Sequence, residues 1–470
     1  MTDLSNRHQQ TPSFAQALLC FSLVIVIIAG GLYWLEVSLH SLMFTCLIWS
    51  SLHAYWLGYD YPQIRNLMGT ALTRALPAIY IFVLIGMVIS SFMHSGTIAA
   101  LIHLGLQWLS PSLFLAVGMI LCAVMSLATG TSWGTVGTLG VVFIGIGSAM
   151  GIPLPLVAGM VVCGATFGDK MSPISDTTNL AAMSAETDLY RHIYAMLFTT
   201  IPSFVLAFII FLALGSMYSD QAMNYDSIAA IQDALALSYG LNPVLTLLPL
   251  VVLAALSIRK TAPEVAMVAS IVTAAVIAWL YQGDSVAEIL NALWLNTPGQ
   301  TGLDSLDSLL GRGGISSMSW TLILALMAIA LGGILHGTGI LAALLAGIIA
   351  KVQSTPALIA TTISTSFMGN LAMGEAYISI ILNCQLFKTK YEEKQLDNAM
   401  LSRSVEEGAT MTTALIPWTT AGAFYAATLG VSVLDYAPYA FFNYLNAIVS
   451  IALATAGIGL LKKETVKETG

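Results

Sequence analysis

Long apolar stretches recur along the chain, separated by short polar interruptions. Residues 14–33, 75–92, 193–214, 264–280, 320–340 and 440–461 are the clearest. A helix rising 1.5 Å per residue crosses the ~30 Å hydrocarbon core of a bilayer in about 20 residues, so each run is long enough for a span. Lipid offers the backbone no hydrogen bonds, and a helix satisfies its own, so the runs predict an all-α integral membrane fold with about ten to twelve transmembrane helices. The first run follows a polar start with a single arginine, Arg7, and no small-residue cleavage pattern comes after it. It predicts a retained span and not a signal peptide.

The polar landmarks within this pattern recur in the same order. Met93-His94-Ser95-Gly96-Thr97-Ile98 is echoed by Leu335-His336-Gly337-Thr338-Gly339-Ile340, and Ser110-Pro111 by Thr355-Pro356. At one constant shift Gly134 and Gly168 match Gly374 and Gly408, with Met171 and Ser172 against Met411 and Thr412. Allowing two extra residues, Thr177-Thr178 then meets Thr419-Thr420. The organisation expected is N-terminal transmembrane helices (1–75), a first repeat (76–215), connecting helices with outward-facing acidic loops (216–318), a second repeat (319–461) and a cytoplasmic tail (462–470). Runs rich in glycine and small polar residues, 129–135 and 368–375, stand in corresponding places and predict a broken or re-entrant helix in each half. Irregular backbone at membrane depth survives only against protein or a wet cavity, so these segments point at a binding site. Close helix packing through Gly130, Gly134, Gly137 and Gly140 is the competing explanation.

Composition narrows the function. Of 470 residues 57% are hydrophobic and 9% charged, with a mean hydropathy of +0.84, against about 25% charged in a soluble domain. The net charge of −8 is uneven: 216–240 and 283–310 carry acids without Lys or Arg, while Arg259-Lys260, 388–403 and Lys462-Lys463 are basic. The positive-inside rule turns the acidic loops outward. No basic face with interleaved aromatics suits nucleic acid, and no extramembrane domain suits a receptor or scaffold. Cys20, Cys46, Cys122, Cys163 and Cys384 are scattered through apolar runs, which indicates neither a disulfide framework nor a metal site. Thr166-Phe167-Gly168-Asp169 lacks the first glycine of an intramembrane aspartyl protease, and neither His-Glu-x-x-His nor Gly-x-Ser-x-Gly occurs, so no enzyme is expected.

The densest polar cluster is Gly168-Asp169-Lys170-Met171-Ser172-Pro173-Ile174-Ser175-Asp176-Thr177-Thr178-Asn179. A hard cation such as Na⁺ wants several oxygens, and Ser175–Asn179 offers carboxylate, hydroxyl, amide and carbonyl oxygens together. A proton-coupled site also needs a carboxylate, for which Asp169 and Asp176 are the candidates. A solvated loop capping the next helix is the alternative. In the second half the matching cluster runs Arg403-Ser404-Val405-Glu406-Glu407-Gly408-Ala409-Thr410-Met411-Thr412-Thr413 and on to Thr419-Thr420. Glu375 sits in a mostly uncharged run, where an acid is costly unless it serves a site or reaches water at the interface, and the constant shift pairs it with Thr135. His94 and His336 correspond, but a His at a helix end more often bonds backbone, and both are left out of the site.

Gly168 through Asn179, together with Ser402-Arg403, Glu406, Gly408-Ala409-Thr410 and Ile416-Pro417-Trp418-Thr419-Thr420-Ala421-Gly422, resembles the two hallmarks of the NhaC family of Na⁺/H⁺ antiporters. The resemblance implies two repeats of inverted topology, each with a re-entrant hairpin, meeting at a central site in a multi-pass protein of the cell membrane. Short Ser-Asn-Thr motifs bind Na⁺ and a substrate carboxylate in related superfamily members. Ser175-Asp176-Thr177 occupies a similar place with Asp for Asn, which favours a cation. The expected binding residues are therefore Asp169, Ser175, Asp176, Thr177, Thr178, Asn179, Glu375, Thr419 and Thr420, with Asp176 the Na⁺ ligand and Lys170 and Arg403 available for charge compensation. No cofactor is expected beyond Na⁺ as the transported or coupling ion. The function implied is Na⁺/H⁺ exchange. The alternative is Na⁺- or H⁺-coupled movement of a small carboxylate, of the malate/lactate type, or of an amino acid. The partners are Na⁺, H⁺ and membrane lipid, with a homodimer left open.

Overall fold

The apolar runs become helices in a computed structural model that describes residues 9–218 and 225–463. The expected tail 462–470 lies outside the described residues beyond residue 463, as does part of the acidic segment 216–240. Among the described residues eight helices are long and apolar enough to cross a membrane: Phe14–Tyr33, Leu76–His94, Pro111–Thr129, Ser132–Ala149, Leu154–Met171, Leu189–Ser216, Pro263–Gln282 and Ile315–Gly337. Counting each of two bent pairs as one span, Ile228–Ser238 with Pro243–Ile258 and Val433–Tyr439 with Phe441–Thr455, raises the number to ten. The chain is a multi-pass membrane protein. Thr355–Met373 and Ala376–Glu393 have the length of a span, but Thr362, Thr365, Asn370, Asn383 and Lys388 dilute their hydropathy. Four of these five side chains are buried against protein, so helices that face the interior escape a count made on apolarity. Val205, Ile209, Val251, Val272 and Ile448 are exposed on the outside of the bundle, as expected of a lipid-facing surface.

Two helical hairpins organise the interior. In the first, Pro111–Thr129 and Ser132–Ala149 run antiparallel: the Phe114 and Phe143 rings lie 5.7 Å apart, and a Cβ on Gly147 would sit 3.5 Å from Phe114. In the second, Thr355–Met373 pairs with Ala376–Glu393, with Ser379 donating to the Ser366 carbonyl at 2.8 Å and Tyr391 to Thr362 at 3.2 Å. Each tip turns on a left-handed glycine, Gly130 (φ 71°) or Gly374 (φ 63°), a conformation costly for any residue with a Cβ. The residue after each glycine is extended in the same way, Thr131 at φ −150°, ψ 127° and Glu375 at φ −150°, ψ 130°.

A broken helix crosses each hairpin. Leu154–Met171 unwinds at Ser172 and restarts at Asp176 under Ser175 (φ −67°, ψ 137°). Asn398–Gly408 breaks, makes the short turn Thr410–Thr413, and restarts at Thr420 under Thr419 (φ −74°, ψ 157°). The backbone therefore aligns Thr131 with Glu375, and Ser175-Asp176 with Thr419-Thr420. This corrects both the pairing of Glu375 with Thr135 and that of Thr177-Thr178 with Thr419-Thr420. The slip has a physical cause. Gly164 and Gly168 stand one turn apart on the same helix and both pack on the first arm, but it is Gly164, on Met119 and Cys122, that matches Gly408 on Ile363 and Ser366, so pairing Gly168 with Gly408 is also off by one turn. The helix starts, Pro111 with Thr355 and Leu154 with Asn398, keep the same offset as the tips and the restarts, so a single shift aligns the two segments throughout.

The helix Leu189–Ser216, 28 residues and about 42 Å long, touches the open ends of both hairpins. At its N-terminal end Arg191 pairs with Asp397 at 2.6 Å, close after the second hairpin, and Lys388 of that hairpin pairs with Glu186 at 2.6 Å. At its other end a Cβ on Gly215 would lie 2.3 Å from the Ser112 carbonyl, at the start of the first hairpin.

Candidate functional site

The unwound segments satisfy their own backbone with the residues that made them look polar in sequence. Thr178 Oγ1 reaches the carbonyls of Asp169 (3.3 Å) and Lys170 (3.1 Å), and Asn179 Nδ2 donates to those of Pro173 (3.0 Å) and Ser175 (2.7 Å). In the second half Asn370 Nδ2 donates to the Ala409 carbonyl at 2.6 Å, Thr419 to those of Thr413 and Ile416, and Trp418 Nε1 to that of Leu371 at 2.9 Å. Non-helical backbone can persist at membrane depth on these terms.

Both tips and both restarts border one cavity of about 1190 Å³. Its polar wall holds Thr131, Ser132, Asp169, Asp176, Glu375 and Thr420, and exposed Arg74 and Lys260 also line it. Asp169, nearly buried, accepts from Ser132 at 2.5 Å and Ser175 at 2.6 Å, which ties the first tip to the first break. Glu375, equally buried, accepts from the Thr420 hydroxyl and from the Tyr377 N–H, both at 3.1 Å, while the Thr420 N–H donates to the Gly374 carbonyl at 2.9 Å. Asp176 is open to the cavity, with the Thr177 N–H on one oxygen at 2.8 Å and the Tyr377 hydroxyl on the other. No group of three or more His, Cys, Asp or Glu among the described residues stands close enough to share one metal ion. Any cation here would therefore complete its shell with hydroxyl, carbonyl or water oxygens.

Of the residues singled out in sequence, Asp169, Asp176, Thr177, Asn179, Glu375 and Thr420 line this cavity. Ser175 stands behind Asp169, and Thr178 and Thr419 turn to backbone carbonyls. Lys170 and Arg403 do not line it, because both enter a second, fully buried polar cluster. There Lys170 Nζ lies 3.2 Å from Asn446 Oδ1, Glu406 lies 2.8 Å from His192 and accepts from Thr178 at 3.2 Å, and Glu407 accepts from Thr199 at 2.6 Å. Arg403 Nε is 3.7 Å from Glu407, and its Nη1 donates to the carbonyls of Ala195 and Gly459. Two cationic side chains, Lys170 and Arg403, thus face two carboxylates, Glu406 and Glu407, and His192 is bonded between Glu406 and Ser402. Sequence inspection passed over Ser132, His192 and Tyr377. Ser132 stood in the glycine-rich run, and Tyr377 was only two positions from Glu375.

A multi-pass helical bundle whose two broken helices and two hairpin tips meet at one acidic cavity is a secondary transporter. The chain belongs to the Na⁺/H⁺ antiporter family, whose model matches residues 12–178 and 164–458. It is 36% identical over 450 residues to the Na⁺/H⁺ antiporter NhaC of Alkalihalophilus pseudofirmus, covering 96% of this chain and 97% of that protein. It is 34% identical over 456 residues to NhaC of Bacillus subtilis, covering 97% and 99%. The malate-2H⁺/Na⁺-lactate antiporter of Bacillus subtilis is 31% identical over 458 residues, covering 97% and 98%.

Proposed function

We propose that the protein exchanges Na⁺ for protons across the cell membrane, with Asp176 and Asp169 as the carboxylates and neighbouring hydroxyls as further ligands. The observation that carries this reading is the presence of Asp169, Asp176 and Glu375 on the wall of a single cavity whose nearest basic residue in sequence, Lys170, turns away from it. Carboxylates gathered in a region of low dielectric repel one another, and either a proton or Na⁺ relieves the repulsion. Binding of one therefore opposes binding of the other, and that opposition is the physical basis of antiport.

Inverted repeats belong to the same proposal, with 76–215 and 319–461 as the two units. The proposal is supported by the hairpins' open ends, which meet opposite ends of the helix Leu189–Ser216. The basic residues Lys388, Lys390 and Lys394 by the second hairpin's open end support a cytoplasmic location for that end. Arg74 and Lys260 on the cavity wall likewise suggest a cavity open to the cytoplasm.

Purified protein in liposomes tests the reading. A preset pH gradient should collapse on addition of Na⁺ and much less with K⁺ at equal ionic strength. The cavity is far larger than an ion requires, which favours a second reading in which a small carboxylate or amino acid is carried. Uptake of such a solute without Na⁺-dependent proton flux would replace the first reading by the second.

A further inference from the structure

Tyr377 is the second residue of the second hairpin's returning arm, yet its hydroxyl crosses the cavity to the first half and donates to Asp176. Its backbone N–H is held by Glu375, Glu375 is held by Thr420, and the Thr420 N–H by the Gly374 carbonyl. A continuous path, Asp176–Tyr377–Glu375–Thr420, therefore runs along the cavity wall from the restart of one broken helix to the restart of the other. A further side-chain link from Asp176–Ser184 to the second half, Thr178 with Glu406, lies away from the cavity.

We propose that Tyr377 is a latch that Na⁺ must displace. The inference rests on Na⁺ binding at Asp176. A phenol has one proton, and here it is spent on Asp176 Oδ2, while the Thr177 N–H takes Oδ1. A cation approaching Oδ2 faces the positive end of the O–H bond, so ion and latch compete for the same oxygen. When Na⁺ takes the carboxylate, the phenol lets go and the second hairpin's tip is freed from the helix Asp176–Ser184. Ion occupancy thereby governs whether the two halves are fastened at the cavity. Tyr377 is a positioning residue for the exchange: it sets the affinity for Na⁺ and couples that affinity to movement of the hairpin.

The test compares wild type and Tyr377→Phe, which keeps the ring and removes only the hydroxyl. Na⁺ binding is measured by calorimetry on the purified full chain, and the Na⁺ KM and Vmax in proteoliposomes. The latch requires that the variant bind Na⁺ about tenfold more tightly or better, the scale of one hydrogen bond to a charged acceptor, with a matching fall in KM. A tyrosine that merely supported the fold would lower the yield of folded protein and leave KM unchanged. A tyrosine that ligated Na⁺ through its oxygen would raise KM on removal, and either result overturns the latch. Hydrogen exchange on the wild type gives an independent reading: amides of 176–184 should exchange faster once Na⁺ is added, and unchanged or slower exchange also overturns it. If wild type neither binds Na⁺ nor moves protons with it, the antiport reading falls with the latch. If wild type does both and only the Tyr377→Phe or exchange result fails, the latch alone is lost.

Discussion

Arg403→Met should destabilise the protein by about 3–5 kcal/mol, the usual cost of stripping one partner from a buried ion pair. The pair is worked into the interior on every side. Arg403 and Glu407 are both at 0% exposure one turn apart on Asn398–Gly408, with Nε 3.7 Å from Oε1. Removing the guanidinium takes a donor from two carbonyls, Ala195 at 3.3 Å and Gly459 at 3.1 Å, and leaves Glu407 with the Thr199 hydroxyl as its hydrogen-bond partner. The guanidinium's charge is then lost from the cluster, and Lys170 is left to face both Glu406 and Glu407. Because the cost arises from an uncompensated charge, Arg403→Met with Glu407→Leu should recover most of it, to within about 1–2 kcal/mol of wild type. Unfolding in mixed micelles, followed by helicity against denaturing detergent, measures both. The argument from charge balance is refuted if the single variant is within about 1 kcal/mol of wild type, or if the double variant falls by the sum of the two single losses.

Asp176→Asn should impair Na⁺ binding more than Lys170→Ala, because Asp176 opens on the cavity while Lys170 points at Asn446; calorimetry on both variants checks the order. Gly408→Ala should cost about 1–3 kcal/mol, since its Cβ would lie 2.2 Å from the Ile363 carbonyl oxygen and 2.7 Å from Ser366 Cβ; the same detergent titration reads it. Thr420→Val should cost about 1 kcal/mol or more in stability and raise the Na⁺ KM, because Glu375 loses the donor that ties it to the second restart; Thr420→Ser should keep both near wild type.

Apolar length alone announced the membrane helices, because lipid imposes a single rule on every residue it touches. The polar segments were legible for a related reason: Ser172, Thr178, Asn179, Thr412 and Thr419 stand where the backbone leaves the helix and needs donors. Register was not legible. Glycines recur one turn apart on Leu154–Met171, so Gly168 could be matched to Gly408 in sequence, whereas the bonds of Ser126 to the Ala165 carbonyl and of Asn370 to the Ala409 carbonyl set the register one turn away. Direction was not legible either. Lys170 follows Asp169 immediately, yet neighbouring residues on a helix point about 100° apart, so one carries its charge to the cavity and the other away from it. His192 was invisible because its partner, Glu406, lies on a distant helix.

Once the register is corrected, the acids of the two halves fall into a complementary arrangement. At the hairpin tip the first half has Thr131 and the second has Glu375, while at the helix restart the first half has Asp176 and the second has Thr420. Each half thus offers one hydroxyl and one carboxylate at equivalent positions, with the roles exchanged. In the second half the two groups bond to each other, Thr420 to Glu375 at 3.1 Å. In the first half Asp176 instead turns across the cavity to Tyr377. Had both halves kept an acid at both positions, four carboxylates would face one cavity beside Asp169, and the repulsion would grow with each pair added. Had both kept hydroxyls, Asp169 alone would be left to carry charge. Divided in this way, the carboxylates leave the cavity negative without crowding acids at every matching position, as the proposed cation exchange requires. The two halves are no longer interchangeable, and Asp176, exposed to the cavity and held there by Tyr377 and the Thr177 N–H, is the carboxylate proposed to take the ion.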